Sequence, residues 1–355
     1  MGATMKDIAK RTGLGLATIS SYLNGGNVRE KNRIKIEEAI EELHFEVNEV
    51  ARGLKTNRTK TIGIIIPELN NIFFAEIITE AEDILRNHGY ATMICDCRSD
   101  EKREAEAEEF LFHRRVDGLI LMPAGNGADG LSRFLRAGKP VVMIDRKMDQ
   151  VDCDCVLVDN EGAAAEAVER LYQAGHRKIG MIAGPSDVYT AKERLKGYRS
   201  ALKKRGLEPE ESLVARGDYT IAGGARAMRQ LKEQNAEMTA VFISNYEMTV
   251  GAMMEINDSG ISVPEELSVI GFDNTDFAKA SVPRLSIVTQ PTGEIAKCAA
   301  ELLLRKLEGE TEVRPAEGGK AEESGEKQVK RREAGKSETV KLKTGFVEGR
   351  SVKQL

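Results

Sequence analysis

Two short words, Cys95-Asp96-Cys97 and Cys153-Asp154-Cys155, carry the densest chemistry in the chain. Alternate residues of a strand share a face, so each pair can converge locally, and together they supply the donors of a four-thiolate metal site. Ordinary buried or surface thiols are the competing reading, because five cysteines in 355 residues form a sparse, odd set and not a disulfide framework. The four histidines, His44, His88, His113 and His176, show no metal-ligand spacing. Residues 124–130 are glycine-rich but lack both the Lys-Ser/Thr of a phosphate loop and the dinucleotide fingerprint. No nucleophile–base constellation stands out. The expectation is a protein that is not an enzyme and has no cofactor and no metal.

Charge points elsewhere. The chain holds 52 Lys+Arg and 57 Asp+Glu, a net charge of -5, which excludes a uniformly basic nucleic-acid coat. The balance is uneven: the first 60 residues carry 11 basic and 8 acidic side chains, so the remainder is the acidic part. Residues 1–35 and 47–60 are basic, and Glu37, Glu38, Glu41, Glu42 and Glu46 lie between them. A small basic head on an acidic body suits contact with a polyanion at one end. No apolar run approaches the ~20 residues of a membrane helix, and the start lacks a signal peptide's apolar core. A cytoplasmic location with no membrane contact is expected.

The elements that position the head follow from the local pattern. Thr4 caps a short helix, with Asp7 three residues on, and Gly13 suits a turn at positive φ. A second helix runs from about Leu16 to Leu23 and ends at Asn24-Gly25-Gly26, and a third runs from Glu30 to Leu43. Helix, glycine turn and helix make a helix-turn-helix unit, whose second helix fits a DNA major groove.

The body alternates short apolar runs with helical stretches. Strands are expected at Ile62–Ile66, Tyr90–Ile94, Gly118–Met122 and Val141–Ile144, and again at Ile179–Ala183, Ala240–Ile243 and Leu267–Phe272. Helices lie between them, as in parallel sheets covered on both faces. Ligands of such sheets bind at the C-terminal strand ends. The polar and aromatic residues there are Asn70, Asn71, Phe73, Phe74, Asp145 and Arg146, then Thr190, Arg194, Tyr219, Asn245 and Asp273, with Gln290 near a crossover.

Two blocks are more specific than any pattern. Met5-Lys6-Asp7-Ile8-Ala9-Lys10-Arg11-Thr12-Gly13, then Ala17-Thr18-Ile19-Ser20 and Leu23-Asn24-Gly25, resembles the LacI/GalR (lactose/galactose repressor) family. So does Asn48-Glu49-Val50-Ala51-Arg52-Gly53-Leu54-Lys55-Thr56 followed by Thr61-Ile62-Gly63-Ile64-Ile65-Ile66-Pro67. The resemblance runs from Met5 to about Leu307. It implies a small all-α helix-turn-helix head and an α/β body of two doubly wound parallel-sheet lobes, like a periplasmic binding protein.

The implied divisions are 1–46 for the DNA-binding head and 47–60 for the hinge helix and linker. The first effector-binding lobe is 61–158 with 291–307, and the second is 159–290 with 339–351. Residues 308–338 hold 16 charged residues and five glycines among 31, and read as a disordered charged insertion.

The resemblance also assigns roles. Leu16, Ala17 and Ser21 match positions facing base edges, and Thr18, Ser20 and Asn24 match positions at the DNA backbone. Asn48, Ala51 and Leu54 belong to the hinge, with Leu54 as the apolar wedge opening a central base step. The effector-binding set, drawn from the strand-end residues above, is Phe73, Phe74, Asp145, Thr190, Arg194, Tyr219, Asn245 and Asp273. Arg194 matches a pocket arginine that donates to ligand oxygens, and Asp273 a carboxylate that accepts from ligand hydroxyls.

Departures sharpen the expectation. Gly15 replaces the usual N-cap serine, and Ser21 replaces an arginine that grips guanine, so the operator should differ from the family's common half-site. Val188 stands where a purine-binding branch has arginine, and Asn245-Tyr246 replaces Asn-Asp. The implied protein is a homodimeric, sequence-specific transcriptional regulator, a repressor by preference. It reads a near-palindromic double-stranded DNA operator under control of a sugar-like small molecule. A member switched by a partner protein is the alternative, and a transporter's solute-binding protein is a more distant one.

Overall fold

The computed structural model describes residues 3–23, 25–46, 58–273, 275–308 and 337–355. The chain divides into two compact units, residues 1–60 and 61–355.

Among its described residues the first unit holds three helices: α1 (Met5–Thr12), α2 (Leu16–Leu23) and α3 (Glu30–Glu42). The Asp7 carboxylate accepts from the Thr4 amide at 2.8 Å and from its hydroxyl at 2.7 Å, closing the first turn of α1. Gly13 ends α1 at φ 72, a conformation that side chains with a Cβ avoid. Ile8, Ile19, Ile36 and Ala39 form the buried centre, one or two from each helix. That is a small core, and it leaves the outward face of α2 free of packing duties.

Among its described residues the second unit contains two six-stranded sheets. The first lobe is built from β1 (Thr61–Ile66), α4 (Ile72–Asn87), β2 (Ala91–Asp96), α5 (Glu101–His113), β3 (Gly118–Leu121), α6 (Asp129–Arg136), β4 (Val141–Ile144) and β5 (Asp154–Val158). The second uses α7 (Asn160–Gln173), β6 (Ile179–Ala183), α8 (Tyr189–Lys204), β7 (Val214–Arg216), α9 (Ile221–Gln234), β8 (Ala240–Ile243), α10 (Tyr246–Asp258), β9 (Ser268–Phe272), α11 (Thr275–Ala280) and β10 (Ser286–Thr289). The chain returns to the first lobe in α12 (Thr292–Glu308) and ends in β11 (Thr339–Leu342) and β12 (Gly345–Val347).

The strand order is β11-β5-β4-β3-β1-β2 in the first sheet and β12-β10-β9-β8-β6-β7 in the second. Every described pairing is parallel except that of β12 with β10. Strands such as Ile62–Ile66 are buried on both faces, which is why they read as unbroken apolar runs.

One expected boundary needs correction. Residues 339–342 do not belong to the second lobe: β11 runs parallel to β5 in the first sheet, from Thr339 beside Cys155 to Leu342 beside Val158. Val340 and Leu342 alternate onto the first lobe's core and complete the edge that β5 would otherwise leave open. The crossover therefore falls between Leu342 and Gly345. Asp154 fastens this corner, with one oxygen on the Glu338 amide at 2.7 Å and the other on Lys306 at 2.7 Å. Residues 309–336, nearly all of the expected insertion, lie outside the described residues. At the far end Ser351, fully buried, ties β9 to β10 by donating to the Val269 carbonyl and accepting from the Ser286 amide.

The two cysteine pairs do not converge. Cys95 is on β2 at one sheet edge and Cys155 on β5, with β1, β3 and β4 between them. All five cysteines are free thiols, and the described residues contain no group of three or more His, Cys, Asp or Glu arranged to hold a metal.

Candidate functional site

In the head, α2 presents an uncharged face. Ile19 points into the core, fully buried, while Leu16 is 46% exposed and Ala17 is exposed beside it. Thr18, Ser20 and Ser21 flank them, half-buried. The Gly15 carbonyl accepts from the amides of Thr18 at 3.0 Å and Ile19 at 3.3 Å, so the helix starts without a side-chain cap. The Ser21 carbonyl takes the Gly26 amide at 2.8 Å, which turns the chain away from the helix. Lys6, Lys10, Arg29, Lys31 and Lys35 are exposed around this unit. Five of the expected DNA-facing residues thus sit on one helix. Asn24, Asn48, Ala51 and Leu54 lie outside the described residues.

In the body, a cavity of about 530 Å³ opens between the lobes at the C-terminal ends of the strands. All eight expected effector residues line it, as do Asn70, Asn71, Arg146 and Gln290. Phe73 and Phe74 meet edge to face with centroids 5.2 Å apart, anchored in the first lobe's core.

Arg194 is the most constrained side chain of the site, at 3% exposure. Its Nε donates to Asn160 Oδ1 at 2.7 Å and its Nη1 to the Ser244 carbonyl at 2.5 Å. The guanidinium lies 3.8 Å from the centre of the Phe272 ring. Helix packing brings these partners together: a Cβ on Gly197 would run into the Glu161 carbonyl and sit 3.0 Å from Ala164, so only glycine lets α8 approach α7 this closely.

The carboxylates answer to burial and to these cations. Burial pushes the Asp145 carboxyl up, and Arg146, 3.4 Å away, and Arg194 oppose it. Asp273 is pushed up to about 7 by burial, opposed by Arg194 and by Gln290. The Gln290 amide donates to both Asp273 oxygens, at 3.1 and 3.0 Å. Tyr219, whose hydroxyl is 3.2 Å from Thr190 Oγ1, is pushed up by burial. Asp145, Tyr219 and Asp273 all adopt positive φ, at 66, 61 and 59. Three non-glycine residues in a costly conformation at one cavity mark a place where side-chain aim outranks local stability.

Further acidic residues line the site, of which Glu68 and Asp218 were not expected there. Glu68 follows β1 after Pro67, and Asp218 follows β7 after Gly217, β7 being a three-residue strand too short to announce itself. Glu247 lies in the first turn of α10, where burial pushes its carboxyl up and the nearby Glu68 charge adds to that. Asn245 caps α10 itself, accepting from the Met248 amide at 3.1 Å, and donates to Glu247 at 2.6 Å. The missing aspartate at position 246 therefore costs no cap, and Tyr246 instead packs on Phe277, with centroids 5.9 Å apart.

An outer layer of support also emerges. Glu101, Glu104 and Glu108 on α5 face the loop 124–130: Glu104 accepts from the Ala124 amide and Glu101 from that of Asn126 at 3.0 Å. The adjoining Pro123 carbonyl takes Arg146 Nη1 at 3.0 Å, which links this loop to the cavity floor. Glu108 is pushed up to about 8 by burial, with the charges of Glu104 and Asp129 adding to the shift.

Comparison with known proteins follows the same division. The family described as "Bacterial regulatory proteins, lacI family" matches residues 4–48, and "Periplasmic binding protein-like domain" matches residues 168–318. The chain is 35% identical over 309 residues to the HTH-type transcriptional repressor CytR of Escherichia coli, covering 87% of this chain and 91% of that one. Its fold matches a transcriptional regulator CelR–cellobiose complex with a TM-score of 0.70, 29% identity, and coverage of 98% and 99%. A lac repressor dimer bound to operator and an anti-inducer shares the fold at a TM-score of 0.82 and 24% identity, covering 99% of this chain and 100% of that one.

Proposed function

The chain belongs to the LacI family of bacterial regulatory proteins, and on that premise we propose that it is a sequence-specific transcriptional repressor whose operator affinity is set by a small molecule held between the two lobes. The observation that carries this reading is a cavity lined by all eight residues expected at the strand ends, two of which, Arg194 and Asp273, match the family's pocket, in a chain that also presents a helix-turn-helix unit. Phe73, Phe74 and Tyr219 offer flat faces to a ring, and Asp273, Asp145 and Asn245 offer acceptors to hydroxyls, which favours a sugar-like polyol. Solved relatives hold cellobiose and ribose.

Two copies related by a two-fold axis would read a near-palindromic operator, with half-sites about one helical turn apart. Leu16 and Ala17 supply apolar contact, suited to thymine methyl groups. Leu54 is the proposed wedge at the centre of the site, where opening a base step costs a few kcal/mol and the resulting bend repays it in contacts. Ligand binding would shift operator affinity by a coupling of ~1–3 kcal/mol. No described helix is long and apolar enough to cross a membrane.

The test is selection of bound sequences from random duplex DNA by the full chain, repeated with Leu54→Ala. The expected result is a palindrome whose central step is lost or blurred in the variant. Enrichment of an asymmetric site would defeat the dimeric reading. No enrichment, with or without pooled sugars, would defeat the repressor reading itself.

A further inference from the structure

One end of the acidic body carries a cluster of positive side chains. Helices in βα units run antiparallel to their strands, so those of the first lobe end where its strands begin, away from the cavity. Thr61 opens β1 at this end, and there the chain arrives from the head. The Asp117 amide donates to the Thr61 carbonyl at 2.7 Å, which sets the turn after α5 beside that entry point. Arg114 and Arg115 follow α5, Arg133 and Arg136 lie in the last turn of α6, and Lys139 comes three residues later. The four arginines are exposed. Lys139 Nζ donates to the carbonyls of Arg115 and Val116 and so joins the two helix ends.

Helices α4 and α12 end at the same edge, and their cations are neutralised: Arg86 by Glu82, Arg305 by Glu338 at 3.1 Å and Lys306 by Asp154 at 2.7 Å. Arg114, Arg133 and Arg136 hold no carboxylate among the described residues. Aromatic rings support two of them instead. The Arg114 guanidinium lies 5.1 Å from the centre of the Phe110 ring, and that of Arg133 lies 4.2 Å from the centre of Phe112. Phe112 is braced edge to face on the buried Phe134, with centroids 5.3 Å apart. A ring positions a guanidinium and leaves its charge in place. Cations at helix C-termini also answer the helix dipole. Lys139 does so through its two carbonyls, whereas these three arginines donate to no carbonyl among the described residues.

Exposed, unneutralised guanidiniums on two adjoining helix ends suit the phosphate oxygens of a nucleic-acid backbone. The duplex held by the head is the polyanion that the chain itself brings near, because even fully extended chain from Glu46 to Thr61 spans at most ~50 Å. We infer that this rim of the first lobe is a second DNA contact, in which Arg114, Arg133 and Arg136 take backbone phosphates of the duplex that the head reads. The rim reads no bases and adds sequence-independent affinity to the head's own contacts. This inference rests on the head binding DNA.

The experiment is fluorescence-anisotropy titration of a long mixed-sequence duplex with the full chain, at salt concentrations from ~50 to ~200 mM. Each lost phosphate contact removes ~0.9 from the slope of log affinity against log salt, so Arg133→Gln/Arg136→Gln should lower the slope by about 2 and Arg114→Gln by about 1. Near ~0.1 M salt the double variant should bind roughly tenfold to a hundredfold more weakly. Lys203→Gln/Lys204→Gln removes the same charge at the exposed end of α8, on the edge of the second lobe where its strands begin, and should leave the slope unchanged. Slopes equal to the wild type in the rim variants would overturn the inference. So would an equal drop in the α8 variant, which would assign the effect to net charge. Weaker binding at an unchanged slope would give the arginines a structural role instead, and thermal melting of each variant reads that directly. Lys6→Gln/Lys10→Gln in the head separates the two readings. A slope that falls there and not at the rim sinks this inference alone, and a full chain that binds no duplex at any salt sinks both.

Discussion

The head and the cleft solve recognition in opposite ways. On α2 the side chains expected to read DNA are uncharged, with Leu16 and Ala17 exposed and Ser21 half-buried, and the charges around them are solvated. In the cleft the recognising groups are charged and buried, with Arg194 at 3% exposure and Asp145 at 7%. A duplex brings a large field and many phosphates, so each head residue can stay in water and contribute little alone. A small ligand offers few contacts, and each must be made in a dry, pre-aimed site where an unpaired charge is expensive. The head can therefore change specificity without changing its fold, whereas recognition and stability in the cleft share the same bonds.

The sharpest way to break that contrast is Arg194→Ala. It strips the counter-charge from Asp145 and Asp273 and empties two buried acceptors, so the body should lose about 3–5 kcal/mol in urea unfolding. A loss below ~1 kcal/mol would mean that the cleft tolerates change as the head does.

Next in size is a pH effect. Asp273 at about 7 and Glu108 at about 8 titrate well above ordinary carboxylates. Between an unfolded value near 4 and these values the native body holds more protons than the unfolded chain, so its stability falls as pH rises across that window and levels off above it. Asp7 in the head has the reverse sign. Its carboxyl is held low by the Thr4 hydroxyl and amide, so its contribution is present above the unfolded value and is lost as pH falls through the folded one. Glu108→Gln should flatten the body's slope and stabilise it at alkaline pH by about 1–3 kcal/mol. Melting temperature against pH for both chains reads this, and parallel curves would remove Glu108 as a source.

A smaller effect is expected from Leu16→Ala. Operator affinity should fall by about 1 kcal/mol for the lost apolar contact, while stability moves by less than ~0.5 kcal/mol because the side chain is exposed. Gel-shift titration beside thermal melting would show it, and a stability loss larger than the affinity loss would contradict the comparison. Smallest is Gly15→Ser. The position has negative φ and open space around it, so a serine can cap α2 and stabilise the head by a few tenths of a kcal/mol. Slower amide exchange across residues 5–43 of the full chain would report the gain.

Some of this was legible in the sequence. The Thr4–Asp7 cap, the Gly13 turn and the unbroken apolar strands are local signals, and the structure carries each of them. The parts not legible have local reasons too. Helix α10 buries Met248, Thr249, Gly251, Ala252, Met253, Glu255 and Ile256, so no single apolar stripe advertises it. Strand β11 alternates as any half-buried edge strand does, and nothing in Thr339–Leu342 says which of two sheets it joins.

By itself the sequence determined the order of parts, a basic helical head followed by an acidic body of βα units, with family words marking individual positions through their neighbours' identity. The strand-end location of the pocket residues followed, because periodicity and turn residues encode short-range burial. Only the tertiary structure decided which charges meet. Arg194 finds Asn160 34 positions away and Ser244 50 positions away, and its charge reaches both Asp145 and Asp273. Charge compensation depends on distance and burial in space, and no pattern along the chain carries either.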